Sequence, residues 1–240
     1  MKYLVKLSYD GSNFYGFQRL NELRCVQGEL ERVLSIINKS PVEVKGAGRT
    51  DKGVHAYGQR AHFELDVDIP LDGLKKAMND LLDKDVYIDD IMEVEDDFHA
   101  RFSVKKKIYQ YKINVGKYDP LKANYYLQVD YGLNLSKMRE VAKVFLGIHD
   151  FRNFVAGERD NYEAVIYDIN FDLKDDILVI TFEGKSFYRY MVRNLVGAML
   201  DVSRGKASVL DVVDMLDYPM EEKRLACAGA EGLYLMDIIY

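Results

Sequence analysis

The sequence predicts an α+β fold of two β-α-β-β-α-β halves with mainly antiparallel sheets. Three observations predict it. Apolar residues switch repeatedly between a period of two and a helical period. The order of those segments in residues 1–100 repeats in residues 101–240. No Pro- or Ser-rich linker separates the halves, which join near Asp97–Ser103.

In the first half, residues 2–9 alternate and read as a strand. A loop with glycines and aromatics follows, Asp10-Gly11-Ser12-Asn13-Phe14-Tyr15-Gly16-Phe17-Gln18. Val26, Leu30, Val33, Leu34 and Ile37 have helical spacing. Residues 42–46 read as a short strand and 57–65 as another. Leu71, Leu74, Met78, Leu81 and Leu82 mark a second helix, and 86–94 a closing strand. In the second half, 104–115 is a long strand with Tyr109, Tyr111, Ile113 and Val115 on one face. Met138, Val141, Ala142, Phe145 and Leu146 mark a helix. Residues 164–173 and 177–183 are strands around a Lys174-Asp175-Asp176 turn. Met191, Val192, Leu195, Val196 and Met199 mark a long helix, with a shorter one near Val209–Leu216 and a final strand at 233–239. This is the split βαβ order of ferredoxin-like domains, which RNA-recognition modules share. Two such halves are expected to pack tightly, with the active-site cleft between them.

Composition narrows the function class. The 240 residues are 48% hydrophobic and 30% charged, as in ordinary globular proteins. No run of about eighteen apolar residues is present, and the amino terminus has no signal-peptide apolar core, so no membrane association is expected. Cys25 and Cys227 stand far apart, which argues for a reducing cytoplasm and against a disulfide framework or a cysteine zinc site. The formal net charge of −6 is unfavourable for nucleic acid, but its distribution is uneven. Glu64–Asp97 holds thirteen acids and three bases. Arg101–Lys112 holds five bases and no acid, and Lys185–Lys206 five bases and one acid.

The segment Gly46-Ala47-Gly48-Arg49-Thr50-Asp51-Lys52-Gly53-Val54-His55-Ala56 carries the chemistry. Its glycines, set between two strands, indicate a tight loop with close backbone approach. A phosphate loop would need Lys-Ser/Thr after its last glycine, where Val54 stands. A dinucleotide loop would need glycine at Asp51 and a helix afterwards. A rigid loop presenting one carboxylate between Arg49 and Lys52 remains, although Asp in a glycine turn is often only a turn former. His55, His62, His99 and His149 have no metal-ligand spacing, so no metal is expected.

Arg49–Ala56 resembles the active-site motif of the TruA family of tRNA pseudouridine synthases. Four further segments resemble that family in order: Tyr9–Gln18; Phe98-His99-Ala100-Arg101-Phe102 with Tyr109-Gln110-Tyr111; Phe187–Asn194; and Ala230–Leu235. The resemblance implies isomerisation of uridine to pseudouridine at positions 38–40 of the tRNA anticodon stem-loop by a cytoplasmic homodimer. It implies Asp51 as the catalytic carboxylate, Arg193 as the arginine that keeps it ionised, and Tyr109 as the aromatic that stacks on the flipped base. No cofactor is implied, because an isomerisation needs no redox partner or energy donor. Arg49, Lys52, Arg101, Lys105, Lys106, Lys107 and Arg189 are candidate phosphate contacts. Leu233 and Leu235 line the uracil pocket or the core. His55 and His99 are expected to be structural, and Tyr111 a core residue. The competing readings are a catalytically silent RNA-binding module and a metal-dependent nuclease or deaminase. The intact Asp51, Tyr109 and Arg193 set speaks against the first, and the absence of ligand spacing against the second.

Overall fold

A computed structural model describes residues 1–20, 22–218 and 225–240. The chain is mixed α+β with mostly antiparallel strands, and it divides into two compact units. One comprises Met1–Lys105 with Tyr234–Tyr240, the other Lys106–Leu233.

The first unit contains β1 (Lys2–Tyr9), α1 (Val26–Asn38), β2 (Lys45–Gly46), β3 (His55–Glu64), α2 (Leu71–Leu81) and β4 (Val86–Glu93). β1 lies between β4 and β3, antiparallel to both, and β2 lies antiparallel on β3. The core follows the periodicities of the sequence. Tyr3, Val5 and Leu7 of β1 and Ala61 and Phe63 of β3 are buried with Val26, Leu30, Val33 and Leu34 of α1 and Leu74 and Met78 of α2. Arg24 ties the approach to α1 to the start of β4. It donates to both Asp85 oxygens at 2.7 and 2.9 Å and to Asp83 at 3.0 Å, and its guanidinium covers the Phe14 ring at 4.1 Å. These carboxylates hold Arg24 firmly protonated.

The strand expected over 42–46 is shorter in the structure. Val42 and Val44 are buried as a strand pattern demands, but their amides bond to side chains of α1. Val42 N–H donates to Ser35 Oγ at 3.1 Å and Val44 N–H to Glu31 Oε1 at 3.2 Å. With its donors satisfied by the helix, the segment joins the ladder only at Lys45 and Gly46.

The second unit contains β5 (Lys106–Asn114), β6 (Leu127–Gln128), α3 (Leu135–Val144), β7 (Gly147–Asp150), β8 (Glu163–Lys174), β9 (Ile177–Gly184), α4 (Met191–Ser203) and α5 (Val209–Asp217). Its strands run in the order β5-β9-β8-β7 with antiparallel neighbours, and β6 lies parallel on β5. The β8–β9 turn has two residues, Asp175 and Asp176, at φ of 49° and 64°. Both are left-handed, as a type I′ hairpin turn requires, and Asp tolerates that conformation better than most residues. Ser208 caps α5 in a reciprocal capping box with Asp211. β6 and β7, of two and four residues, are too short for a periodicity to announce.

The last strand, β10 (Leu233–Ile239), departs from the division at residue 100. It runs parallel to β3, with Tyr234 opposite His55 and Leu235 opposite Ala56. Arg60 meets Asp237 at 3.2 Å, Lys105 N–H donates to Ile239 O at 2.8 Å, and the Tyr240 hydroxyl donates to Ala100 O at 2.9 Å. The residues after Leu233 therefore complete the first unit. Alternation identifies a strand but not its neighbours.

Segment 225–228 runs hard against α4. Ala226 N–H donates to Asp201 Oδ2 at 2.8 Å and Ala228 N–H to Arg193 O at 3.0 Å. A Cβ on Gly197 would stand 1.7 Å from Ala226 O. Since that neighbour is backbone, Gly197→Ala is expected to destabilise the protein by about 1–3 kcal/mol. Urea denaturation measures this, and a variant as stable as the wild type would contradict the packing described.

Candidate active site

The Asp51 loop connects β2 to β3 and is clamped by the segment that follows β1. Tyr9 ends β1 with its phenol buried 2.8 Å from Thr50 Oγ1. Gln59 Nε2 donates to Gly48 O at 3.1 Å and reaches the Tyr9 hydroxyl at 3.4 Å. Burial pushes the Tyr9 phenol up to about 12, against the opposing effect of its bonds to Thr50 and Gln59, so it stays neutral. Backbone bonds complete the clamp. Phe17 N–H donates to Thr50 O at 3.2 Å, Gly53 N–H to Phe14 O at 3.3 Å, and Val54 N–H to Asp51 O at 3.1 Å.

Two glycines of the clamp are required by space. Gly16 has φ +99°, and a Cβ there would stand 2.5 Å from Thr50 O. A Cβ on Gly11 would stand 2.0 Å from Val54 O. Only glycine permits this approach of backbone to backbone. Thr50 is consequently buried, Asp51 partly buried, and Arg49 and Lys52 exposed. The Lys52 ammonium lies 4.2 Å over the Tyr15 ring. The loop thus presents a carboxylate on a fixed backbone between two cations, the form a positioned nucleophile or base needs.

Each histidine of the first unit has a packing role. His55 is buried, its Nδ1 accepts the Gly11 N–H at 3.0 Å, and its ring stacks on Tyr234 at 4.7 Å. His62 is buried, and its Nδ1 accepts the Ala100 N–H at 3.2 Å. Burial, then the charges of His99, Lys2 and Lys45, lower the His62 pKa to about 4. His99 is also lowered, by burial first and Lys45 second. Both rings are neutral near neutrality. Among the described residues no three His, Cys, Asp or Glu side chains converge as metal ligands. Arg101 and Lys105 are exposed.

In the second unit, Tyr109 and Tyr111 share a face of β5 but differ in surroundings. Tyr109 lies opposite Phe182 of β9, meets the Phe187 ring edge-on at 5.2 Å, and is 6% exposed. Tyr111 is completely buried, and its hydroxyl donates to Gly229 O at 2.8 Å. Burial, followed by Glu231, drives its pKa far up. Tyr111 is the core residue the sequence suggested. Leu233 and Leu235 are likewise buried.

Arg193 is partly buried in the first turn of α4. Its Nε donates to Ala228 O at 2.8 Å, and its guanidinium lies 4.6 Å over the Tyr190 ring. Tyr190 precedes the helix at φ 63°, a left-handed conformation that is uncommon for a bulky residue and frequent at functional sites. Met191 N–H bonds to Tyr188 O, Ala156 N–H to Arg189 O, and Asn194 Nδ2 to Phe154 O, fixing this entry to α4. Arg189 is exposed, 5.2 Å from the Tyr190 ring. The sequence did not mark Tyr9 and Gln59 as supports of the Asp51 loop, Phe187 as the neighbour of Tyr109, or Tyr190 as the support of Arg193. For Phe187 and Tyr190 the available signal was an aromatic run ahead of a helix; for Tyr9 it was a strand-ending tyrosine beside closely spaced glycines.

Comparison with known proteins identifies the family. The profile of a family described as "tRNA pseudouridine synthase" matches residues 7–103 and 141–240. That span includes the Asp51 loop, Arg101, Arg193 and Leu233, while Tyr109 and Lys105 fall between its two parts. The tRNA pseudouridine synthase A of Pseudothermotoga lettingae is 41% identical over 98% of this chain and 97% of that protein. Those of Thermosipho melanesiensis and Geobacillus sp. are 37% and 40% identical, over 100% and 98% of this chain and 99% and 96% of theirs. A chain in the solved structure of a Cbf5-Nop10-Gar1 complex aligns at TM-score 0.34 and 10% identity, over 83% of this chain and 54% of its own. That likeness carries no weight. With the profile on both sides of the chain and relatives matched end to end, this chain belongs to the tRNA pseudouridine synthase family.

Proposed function

We propose that this chain isomerises uridine to pseudouridine in tRNA, in the anticodon stem-loop at positions 38–40, with Asp51 as the attacking carboxylate. The observation that carries the reading is the clamped loop. Thr50 is pinned by Tyr9, so the next residue offers its carboxylate on a backbone that cannot drift. The reaction balances without a co-reactant. The C1′–N1 bond breaks, C1′ joins C5, the C5 proton is lost and N1 gains one. The protein must hold the base, supply the carboxylate and keep it ionised.

Arg193 is proposed as the arginine that favours ionised Asp51, Tyr109 as the ring on which the uracil stacks, and Leu233 as an apolar wall for it. Tyr109 is enclosed, so stacking a base on it requires a neighbouring side chain to give way. Arg49, Lys52, Arg101 and Lys105 are proposed to take phosphates, and their exposure suits that role. Each unit is read as a ferredoxin-like half, supported by the β4-β1-β3-β2 and β5-β9-β8 strand orders. The enzyme is read as a cytoplasmic homodimer. Among the described residues no helix is long and apolar enough to cross a membrane.

Asp51→Asn keeps the side-chain volume and removes the nucleophile. Pseudouridine formation is expected to vanish while tRNA binding persists, because phosphate contacts dominate affinity. Position-resolved mapping of pseudouridine after incubation with unmodified tRNA tests both the reaction and its location. Turnover by the Asn variant would remove Asp51 from the chemistry.

Tyr109→Phe keeps the ring and Tyr109→Leu removes it. Stacking predicts a far larger loss of activity for Leu, with Phe near wild type. Equal loss in both variants would assign the role to the hydroxyl instead. Tyr111→Phe loses one buried hydrogen bond and is expected to cost about 1 kcal/mol of stability with little change in turnover.

Arg193→Met keeps the stem and removes the charge. Without the cation the Asp51 carboxyl titrates at higher pH, so the acidic limb of the pH–rate profile is expected to move upward and the rate to fall. Arg193→Lys is expected to restore only part, since an ammonium lacks the planar fork. An unmoved acidic limb in Arg193→Met would end the proposed coupling while leaving the family assignment intact.

A further inference from the structure

Phe102 is 77% exposed, more than any other aromatic residue among those described. It is not a loose side chain. Its amide and that of Ser103 both donate to His99 O, at 3.1 and 3.0 Å, closing a turn. Its ring lies 4.3 Å from the His99 ring at 34°. His99 in turn packs edge-on against buried His62 at 4.7 Å. Beneath them Phe98 contacts His62 at 6.4 Å and Tyr240 at 5.1 Å. The Ala100 amide bonds to His62, and Ala100 O accepts from Tyr240. One face of the Phe102 ring is thus backed by a neutral, anchored aromatic column, and the rest meets solvent.

The surroundings are cationic. The Arg101 guanidinium is 5.9 Å from the ring, Lys105 is exposed three residues on, and no acid occurs from Arg101 to Lys112. Lys2 and Lys45 also face His99, each with an acidic partner, Glu64 at 3.5 Å and Glu43 at 3.4 Å. An exposed ring among bases can meet another protein, a second copy of this chain or a nucleic acid. One ring is far smaller than the area of roughly 1,200 Å² that a stable protein interface buries. It does match a single nucleobase, and flanking cations match the phosphates on either side.

We propose that Phe102 is a stacking platform for an unpaired base of the tRNA substrate, with Arg101 and Lys105 holding the adjacent phosphates. The proposal rests on the tRNA reading of the Asp51 site and adds to it a contact made by the first unit alone.

The test measures dissociation constants for unmodified tRNA by filter binding across a range of salt concentrations. Phe102 is exposed, so Phe102→Ala leaves the fold intact, which circular dichroism verifies. Stacking predicts a dissociation constant raised about tenfold by Phe102→Ala, by the same factor at every salt concentration, and restored by Phe102→Trp. The Arg101→Ala, Lys105→Ala double variant instead flattens the salt dependence, because fewer counterions are released. Wild-type affinity in Phe102→Ala overturns the platform, as does failure of Trp to restore binding. A shift of Phe102→Ala to a smaller sedimenting species also overturns it, because the ring would then belong to a contact between copies. Wild-type protein that neither binds nor modifies tRNA would remove the underlying reading as well, an outcome distinct from loss of the platform alone.

Discussion

Backbone held against backbone is the constraint on which the Asp51 loop depends. The turn after β1 lies so near Thr50 and Val54 that a methyl group on Gly11 or Gly16 would collide with a carbonyl oxygen. Contact at that distance leaves little freedom for the loop to fluctuate, because close-packed neighbours have no space to move into. The Tyr9–Thr50 bond adds a directional restraint in a place where an unmet hydroxyl would be costly. Positional accuracy in the Asp51 loop is obtained here from glycine spacing and one buried phenol.

The second unit uses another device for the same purpose. Arg193 is steered by the carbonyl of Ala228 and the face of Tyr190. A carbonyl fixes the direction of one N–H of the guanidinium. The left-handed Tyr190 and the close approach of Ala226 to Gly197 are the local costs of that arrangement. Tyr111, whose hydroxyl bonds to Gly229, anchors the segment that supplies Ala228.

Much of this was legible in the sequence, for reasons that differ by element. The strand expected over 104–115 is β5 within two residues at one end and one at the other, because its alternation is unbroken. The glycine spacing around Asp51 marked a tight loop, and the loop is tight. What escaped was partnership. Val42 and Val44 look like strand residues, yet their amides go to α1 side chains. Tyr9 reads as the end of a pattern, and nothing local connects it with Thr50, forty-one positions away. Tyr109 and Tyr111 are equivalent by periodicity and separate only once Phe187 and Gly229 are placed around them. Periodicity records which side of an element is apolar, whereas a hydrogen bond between distant residues leaves no trace in spacing.

The return of residues 234–240 to the first unit bears on how the chain is made. During synthesis, residues 1–105 emerge long before β10 exists, and β3 waits beside a vacant position for the strand that will lie parallel to it from Tyr234. Closing that gap means bringing together segments with the whole of residues 106–233 between them, an entropic cost that grows only slowly with length but must be met before the pairing returns anything. Until β10 is made, the strand that begins at His55, directly after the Asp51 loop, lacks its parallel neighbour. The parallel neighbour of the strand that follows the Asp51 loop is therefore a late part of the fold, and a chain interrupted before Tyr234 would leave that loop at the head of an incomplete sheet.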